Sequence, residues 1–182
     1  MKQFLYPTLS FRAFRDLIGL TISGALIAGV YGILHDQVTY TLSPEYFTKF
    51  KFDQFADADP GLGNRAFAGV IGFLATWWIG AIMGWLTGRL SMKSGTDRPQ
   101  VRLALRGLIL IFAIAVVCGI GGFIFGAATS QDLPAYWTNW QRMNGIEDIA
   151  AFRRVGWVHN MGYIGGILGG ITASVWIRRK RS

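Results

Sequence analysis

Four long stretches of the chain carry almost no charged residues, and their length restricts what the chain can fold into. They cover residues 17–34, 66–86, 106–128 and 155–177. A helix that crosses a bilayer needs about 20 mostly apolar residues. Hydrophobic residues make up 52% of the 182-residue chain and charged residues only 15%, which leaves too little polar chain to cover four such helices in water. The sequence therefore predicts an all-α integral membrane bundle of four transmembrane helices in a single domain over residues 1–182.

The distribution of charge predicts the orientation of this bundle. Twelve of the 18 basic residues lie near the two termini or between the second and third runs, whereas the other two loops hold eight of the ten acidic residues. Cytoplasmic segments of membrane proteins are enriched in Lys and Arg. We therefore predict cytoplasmic termini, a cytoplasmic loop at 89–105 and outer loops at 35–65 and 129–154. The same distribution explains the net charge of +8 without a nucleic-acid partner.

Glycines recur every four residues in two of the predicted helices. Such rows allow the backbones of neighbouring helices to approach closely. The sequence predicts tight packing at two rows: Gly80, Gly84 and Gly88, and Gly162, Gly166 and Gly170. A second row in the fourth helix contains Gly165 and Gly169.

The outer loops carry aromatic residues that predict short helices at the membrane interface. We expect the first helix to end at His35 and residues 38–42 to be extended, because their side chains alternate in polarity. Ser43, Pro44 and Glu45 then form a helix start, with Ser suited to the N-cap and Pro to the first helical position. Amphipathic helices of this kind lie on a leaflet or on a partner. The predicted interfacial residues are Tyr46, Phe47 and Phe50, followed in the second loop by Trp137 and Trp140. Lys51 is expected to extend its ammonium group to the margin of this helix.

The only two histidines of the chain are predicted at similar depth on the outer side. His35 ends the first run and His159 lies about one turn inside the fourth, with Asp36 and Glu45 close in sequence to the first. Two imidazoles and a carboxylate suit zinc, iron or manganese. The sequence therefore gives a candidate metal site at His35, Glu45 and His159. The lone Cys118 offers neither a disulfide nor a paired thiolate site.

A plainer interpretation needs no ion. His35 and His159 would then bridge helices through hydrogen bonds to backbone carbonyls, and Asp36 would pair with Lys49 or Arg65. Adjacent residues on a helix also point in different directions, which disfavours a joint role for His35 and Asp36.

Residues 35–49 read His-Asp-Gln-Val-Thr-Tyr-Thr-Leu-Ser-Pro-Glu-Tyr-Phe-Thr-Lys. This segment resembles one found after the first hydrophobic helix of small uncharacterised bacterial integral membrane proteins. The resemblance implies a bacterial four-helix protein of the cytoplasmic membrane, and it assigns no activity to any residue.

Three functions are compatible with these observations. The glycine rows and aromatic residues favour a non-catalytic accessory subunit of a larger membrane complex, or a protein that associates with itself. In either case the lipid bilayer is a second expected partner. The histidines indicate as an alternative a metal-binding membrane protein or metal-dependent enzyme. A small transporter is the third possibility, because glycine-rich helices are able to break around a substrate.

Overall fold

Five helices account for most of the architecture. The computed structural model describes residues 9–93, 98–129 and 134–181. The helices are α1 (Phe11–Leu42), α2 (Asn64–Leu90), α3 (Val101–Ala128), α4 (Ala135–Asn144) and α5 (Ile149–Lys180). Four short helical turns between α1 and α2 form what we name the cap segment, residues 44–58. These turns are Pro44–Tyr46, Phe47–Lys51, Phe52–Gln54 and Ala56–Ala58. The described residues contain no strand, and parts of the predicted loops, residues 94–97 and 130–133, lie outside them.

Three helices within the described ranges are long and apolar enough to cross a membrane. They are α1, α2 and α3, and they establish an all-helical membrane protein. The fourth predicted run forms most of α5, a helix of 32 residues. Glycines, together with His159 and Asn160, make α5 less apolar than the other three. Its membrane crossing and the orientation of the termini stay predictions.

The first helix is longer than the sequence predicts. Residues 38–42 are helical rather than extended, and α1 ends at Leu42. The hydroxyls of Thr39 and Thr41 donate to the carbonyls one turn earlier, so their hydrogen bonds are made within the helix. Ser43 adopts an extended conformation (φ −153°, ψ 94°), as expected of a residue before proline. The proline, not the change in polarity at His35, therefore ends the helix.

Helices α1 and α2 pack through glycine backbones. A Cβ atom added to Gly80 would overlap the Gly24 carbonyl, and one added to Gly84 would overlap the Leu20 carbonyl. A Cβ atom at Gly88 would meet side chains of α1 instead. The Thr76 hydroxyl adds a hydrogen bond of 2.7 Å to the Ala28 carbonyl across the interface. This pair is therefore held by close backbone approach and an interhelical hydrogen bond.

Helices α3 and α5 form a second close pair, through the second of the two predicted glycine rows rather than the first. Nothing lies within 4 Å of a Cβ atom built at Gly162 or Gly166, and Gly170 meets only Met83 of α2, at 3.6 Å. The close approaches are made by Gly165 and Gly169, which lie against the backbone of α3. The prediction of tight packing is therefore wrong for Gly162 and Gly166, whereas Gly170 is buried against α2. The two rows lie on different faces of α5, and sequence spacing alone does not say which face meets a partner.

The aromatic residues of the cap segment are buried inside the protein rather than laid on its surface. Tyr46 and Phe47 are 7% and 0% exposed, so their assignment as interfacial residues is wrong. They form a core with the start of α5, and Phe50, Trp137 and Trp140 pack against it half-buried. Helix α5 begins at Ile149, before its expected start at residue 155, and its first turns supply the surface that covers these aromatic residues. This core closes the outer end of the helix bundle.

Candidate metal centre

Three potential metal ligands converge below the cap segment, where the C-terminal part of α1 meets the N-terminal part of α5. His35 and Asp36 come from α1, about two turns before its end, and His159 comes from α5. One ligand atom from each lies within 4.8 Å of the other two. His159 Nε2 is 3.9 Å from Asp36 Oδ1, and both side chains are only 5% exposed. The structure therefore brings together the two histidines that the sequence predicted at similar depth.

Two rings pack against the imidazole of His159, one from the cap segment and one from α1. The Tyr46 ring stacks on it at 5.0 Å with an interplanar angle of 13°, and the His35 ring meets it edge-on at 4.8 Å. The pKa of Tyr46 is raised by its burial, so its hydroxyl keeps its proton. His159 Nε2 is buried and makes no hydrogen bond with any described residue. An uncompensated buried nitrogen of this kind is costly, which makes it a candidate ligand atom.

The Asp36 carboxylate faces the two histidines, and the Lys51 ammonium acts on it electrostatically without forming an ion pair. It is 3% exposed and accepts no hydrogen bond from the described part of the chain. The expected pairing with Arg65 is absent there, because Arg65 donates to the side chains of Gln37 and Thr41 at 3.4 and 3.0 Å. Lys49 is exposed. The objection that His35 and Asp36 point apart is also wrong, since the site lies in the angle between their two side chains.

The structure removes Glu45 from the predicted ligand set. Its two carboxylate oxygens accept hydrogen bonds from the backbone N–H groups of Glu147 and Asp148, at 2.9 and 2.8 Å. Asp148 is the N-cap of α5 and accepts from the Ala151 N–H. Negative charge at a helix N-terminus is stabilising. Glu45 therefore joins the cap segment to the start of α5, and Asp36 takes its place beside the histidines.

Lys51 is a buried member of the site that sequence reasoning missed. It is 6% exposed instead of reaching the surface of an interfacial helix. It ends the π-helical turn Phe47–Lys51, and such turns occur frequently at functional sites. No described carboxylate lies within 4.0 Å of its ammonium group. The sequence contains no signal for this position, because burial of Lys51 depends on how the cap segment folds onto α5.

A cavity of about 320 Å³ lies between the α1–α2 pair and the α3–α5 pair. Its end below the cap segment is lined by the four polar residues of the site, His35, Asp36, Lys51 and His159. Away from them the lining is apolar or glycine except for two tyrosine rings and Thr76, whose hydroxyl donates to the Ala28 and Gly72 carbonyls. Gly162 and Gly166 face this space, which explains the absence of close neighbours at both positions. The glycine row that sequence reasoning assigned to packing thus keeps a cavity open.

Two histidines and one carboxylate form a ligand set suited to zinc, iron or manganese. Ligand atoms around a tetrahedral zinc ion are about 3.4 Å apart, so the side chains would have to converge by about 1 Å to hold one. Tyr31 places its hydroxyl 3.5 Å from His35 Nδ1, where it is able to orient the ring of that ligand. Three protein ligands would leave at least one coordination position directed to the cavity.

Comparison of the chain with protein-family models, curated proteins and solved structures finds no match. The resemblance of residues 35–49 to uncharacterised bacterial membrane proteins therefore stays a prediction.

Proposed function

We propose that this protein binds one divalent transition-metal ion, of the zinc, iron or manganese class, through His35, Asp36 and His159. One observation carries the proposal. The buried His159 Nε2 makes no hydrogen bond with any described residue, and it faces the buried Asp36 carboxylate and a second histidine. A buried polar group without a partner costs free energy. A metal ion would satisfy all three groups together.

The hydrogen-bonded alternative is less consistent with this geometry. In that interpretation the histidines would bridge helices by donating to backbone carbonyls. His159 Nε2 has no such acceptor among the described residues, and His35 Nδ1 contacts the Tyr31 hydroxyl of its own helix at 3.5 Å. The separation of 3.9 Å between His159 Nε2 and Asp36 Oδ1 exceeds hydrogen-bond length.

The membrane setting of this proposal combines observation with prediction. Three helices are able to span a bilayer. We propose that α5 is a fourth span, because its contacts with α3 run from Arg154 against Gly126 to Ile177 against Gly107. The basic residues at both termini and in the 89–105 loop support cytoplasmic placement. The metal site would then lie near the outer face of a bacterial cytoplasmic membrane.

The metal content of the purified protein tests the proposal. The full chain is extracted in mild detergent, and bound metals are counted by inductively coupled plasma mass spectrometry after dialysis. Loading with Co²⁺ reports coordination through d–d absorption. The test variant is Asp36→Asn, and the matched control is Asp53→Asn, an exposed carboxylate of the cap segment.

We expect about one ion per chain, and a Co²⁺ spectrum that Asp36→Asn abolishes and Asp53→Asn preserves. Loss of even a neighbouring supporting residue typically weakens metal affinity 10- to 100-fold, so loss of a ligand should weaken it at least as much. A folded wild-type protein that holds no metal and shows no Co²⁺ band at micromolar concentration would overturn the assignment.

An accessory role in a larger complex is supported by a separate observation. Trp77 and Trp78, in the middle of α2, are 41% and 49% exposed. Tryptophan is enriched at membrane interfaces rather than at mid-membrane depth. A partner helix on this face would explain both residues. Native mass spectrometry of gently extracted protein tests this, and a lone monomer would contradict it.

A transporter remains the third function. A solid bundle would have argued against it, but a cavity is present. Beyond the four polar residues at one end the cavity lining is mostly apolar, and the Thr76 hydroxyl is already bonded to helix carbonyls, which does not favour a path for a polar solute.

A further inference from the structure

The cavity beneath the proposed metal centre is divided into a polar end and an apolar body. The polar groups His35, Asp36, Lys51 and His159 are all at the outer end. The body continues along α2 from Gly72 to Met83, which corresponds to about 16 Å at the rise of an α-helix. A polar end joined to a long apolar body is the shape of a site for an amphiphile rather than for a bare ion.

The cavity has exposed residues along one side. Ile79 of α2 and Tyr163 and Ile167 of α5 all line it, and they are 36%, 48% and 64% exposed. These residues lie in segments that cross, or are proposed to cross, the membrane. The mouth between α2 and α5 therefore faces the acyl chains of the bilayer, from which a lipid-soluble molecule would enter.

The charges at the outer end select the head group. Lys51 is buried at the cavity wall, where its charge acts on Asp36 but forms no ion pair with a described carboxylate. A divalent ion at the neighbouring ligands would add two positive charges against the single negative charge of Asp36. A buried excess of positive charge favours an anionic partner.

We propose that this cavity binds a single-chain amphiphile with an anionic oxygen head group, such as a long-chain carboxylate. Its head group lies between Lys51 and the His35–Asp36–His159 cluster, and its chain follows the surface left open by Gly162 and Gly166. Direct coordination of the head group rests on the proposed metal function, whereas the contact with Lys51 does not.

The volume limits the occupant to one chain. At about 320 Å³ the cavity is near the lower limit of the roughly 300–1,000 Å³ typical of small-molecule sites. A phospholipid with two acyl chains would not fit within it. The absence of any atom within 4 Å of a Cβ atom at Gly166 means that a larger side chain there would fill the cavity without displacing a helix.

Photo-crosslinking in nanodiscs tests this inference. The probe is a dodecanoate analogue with a diazirine in mid-chain, and the matching dodecanol analogue is the uncharged comparison. Adducts are mapped by peptide mass spectrometry. Cavity positions are Met83, Ile111 and Phe112, and lipid-facing positions of α3 are Ile109 and Val117.

The blocking variant Gly166→Leu has a matched control. Gly121→Leu introduces the same side chain at an exposed glycine of α3 that also has nothing within 4 Å of its Cβ position. We expect dodecanoate to label the cavity positions in the unmodified protein and in Gly121→Leu, and to lose that labelling in Gly166→Leu. Lys51→Met should lower the cavity labelling by about tenfold, and dodecanol should label it weakly throughout.

Cavity labelling that persists in Gly166→Leu, or adducts confined to lipid-facing positions, would overturn the inference whatever the metal analysis shows. Equal labelling by dodecanoate and dodecanol would overturn the head-group assignment. Labelling that depends on Gly166 and Lys51 in a protein without metal would support the amphiphile site, and only the proposed metal function would then fail.

Discussion

Replacement of Glu45 distinguishes its observed role from the role predicted from sequence. Its carboxylate accepts two backbone hydrogen bonds at the start of α5, of 2.9 and 2.8 Å. A hydrogen bond to a charged group contributes about 1.5–3 kcal/mol, and partial exposure of this pair favours the lower value. We expect Glu45→Ala to lower the free energy of unfolding by about 2–3 kcal/mol. Glu45→Gln keeps one acceptor oxygen and should lower it by about 1–2 kcal/mol.

Two measurements on the same samples give the result. Hydrogen exchange reports the amides of Glu147 and Asp148, which should exchange faster in both variants because their acceptor is lost or weakened. Reversible unfolding in mixed micelles of dodecyl sulfate gives the change in stability. The metal content should not change. A Glu45→Gln protein that loses its metal while the exchange of these amides stays unchanged would refute the capping role, and it would restore Glu45 as a ligand.

Two further substitutions test the packing. Gly80→Ala should destabilise the α1–α2 pair by about 1–3 kcal/mol, because the new methyl group overlaps the Gly24 carbonyl. Gly121→Ala, at an exposed position of α3, should instead stabilise the protein by up to about 1 kcal/mol. Equal unfolding midpoints for the two variants would contradict the close contact between Gly80 and Gly24. Phe47→Ala should cost about 3–5 kcal/mol, because this ring is fully buried in the core beneath the cap segment. Unchanged stability of Phe47→Ala in a micelle titration would show that the ring lies on the membrane surface instead.

The helical fold and its long apolar segments were predictable because they depend on local composition. A run of about 20 apolar residues forms a membrane helix whatever its neighbours are, since its backbone must satisfy its own hydrogen bonds in lipid. The end of α1 was not predicted correctly. The alternation of residues 38–42 resembled a strand, but continuation of the hydrogen-bonded helix to the proline prevailed.

The candidate site was predictable only in part. The depth of His35 and His159 follows from their positions in two apolar runs, and the structure brings their rings to 4.8 Å. The sequence did not show which carboxylate would join the two histidines. Asp36 is adjacent to His35, which disfavoured it as a partner on the same helix, whereas Glu45 lies ten residues further on. The rotation of α1 places Asp36 beside His159, while the cap segment carries Glu45 to the start of α5.

The sequence by itself determined that this chain is a helical membrane protein with two histidines near one end of its bundle. Composition and the spacing of residues along each helix are sufficient for those conclusions. The tertiary structure decided which glycines of α5 meet a neighbour, which carboxylate joins the histidines, and where Lys51 is buried. Each of these depends on the rotation of one helix against another and on the folding of residues 44–58 onto α5. Those contacts form between residues distant in sequence, and local periodicity carries no information about them.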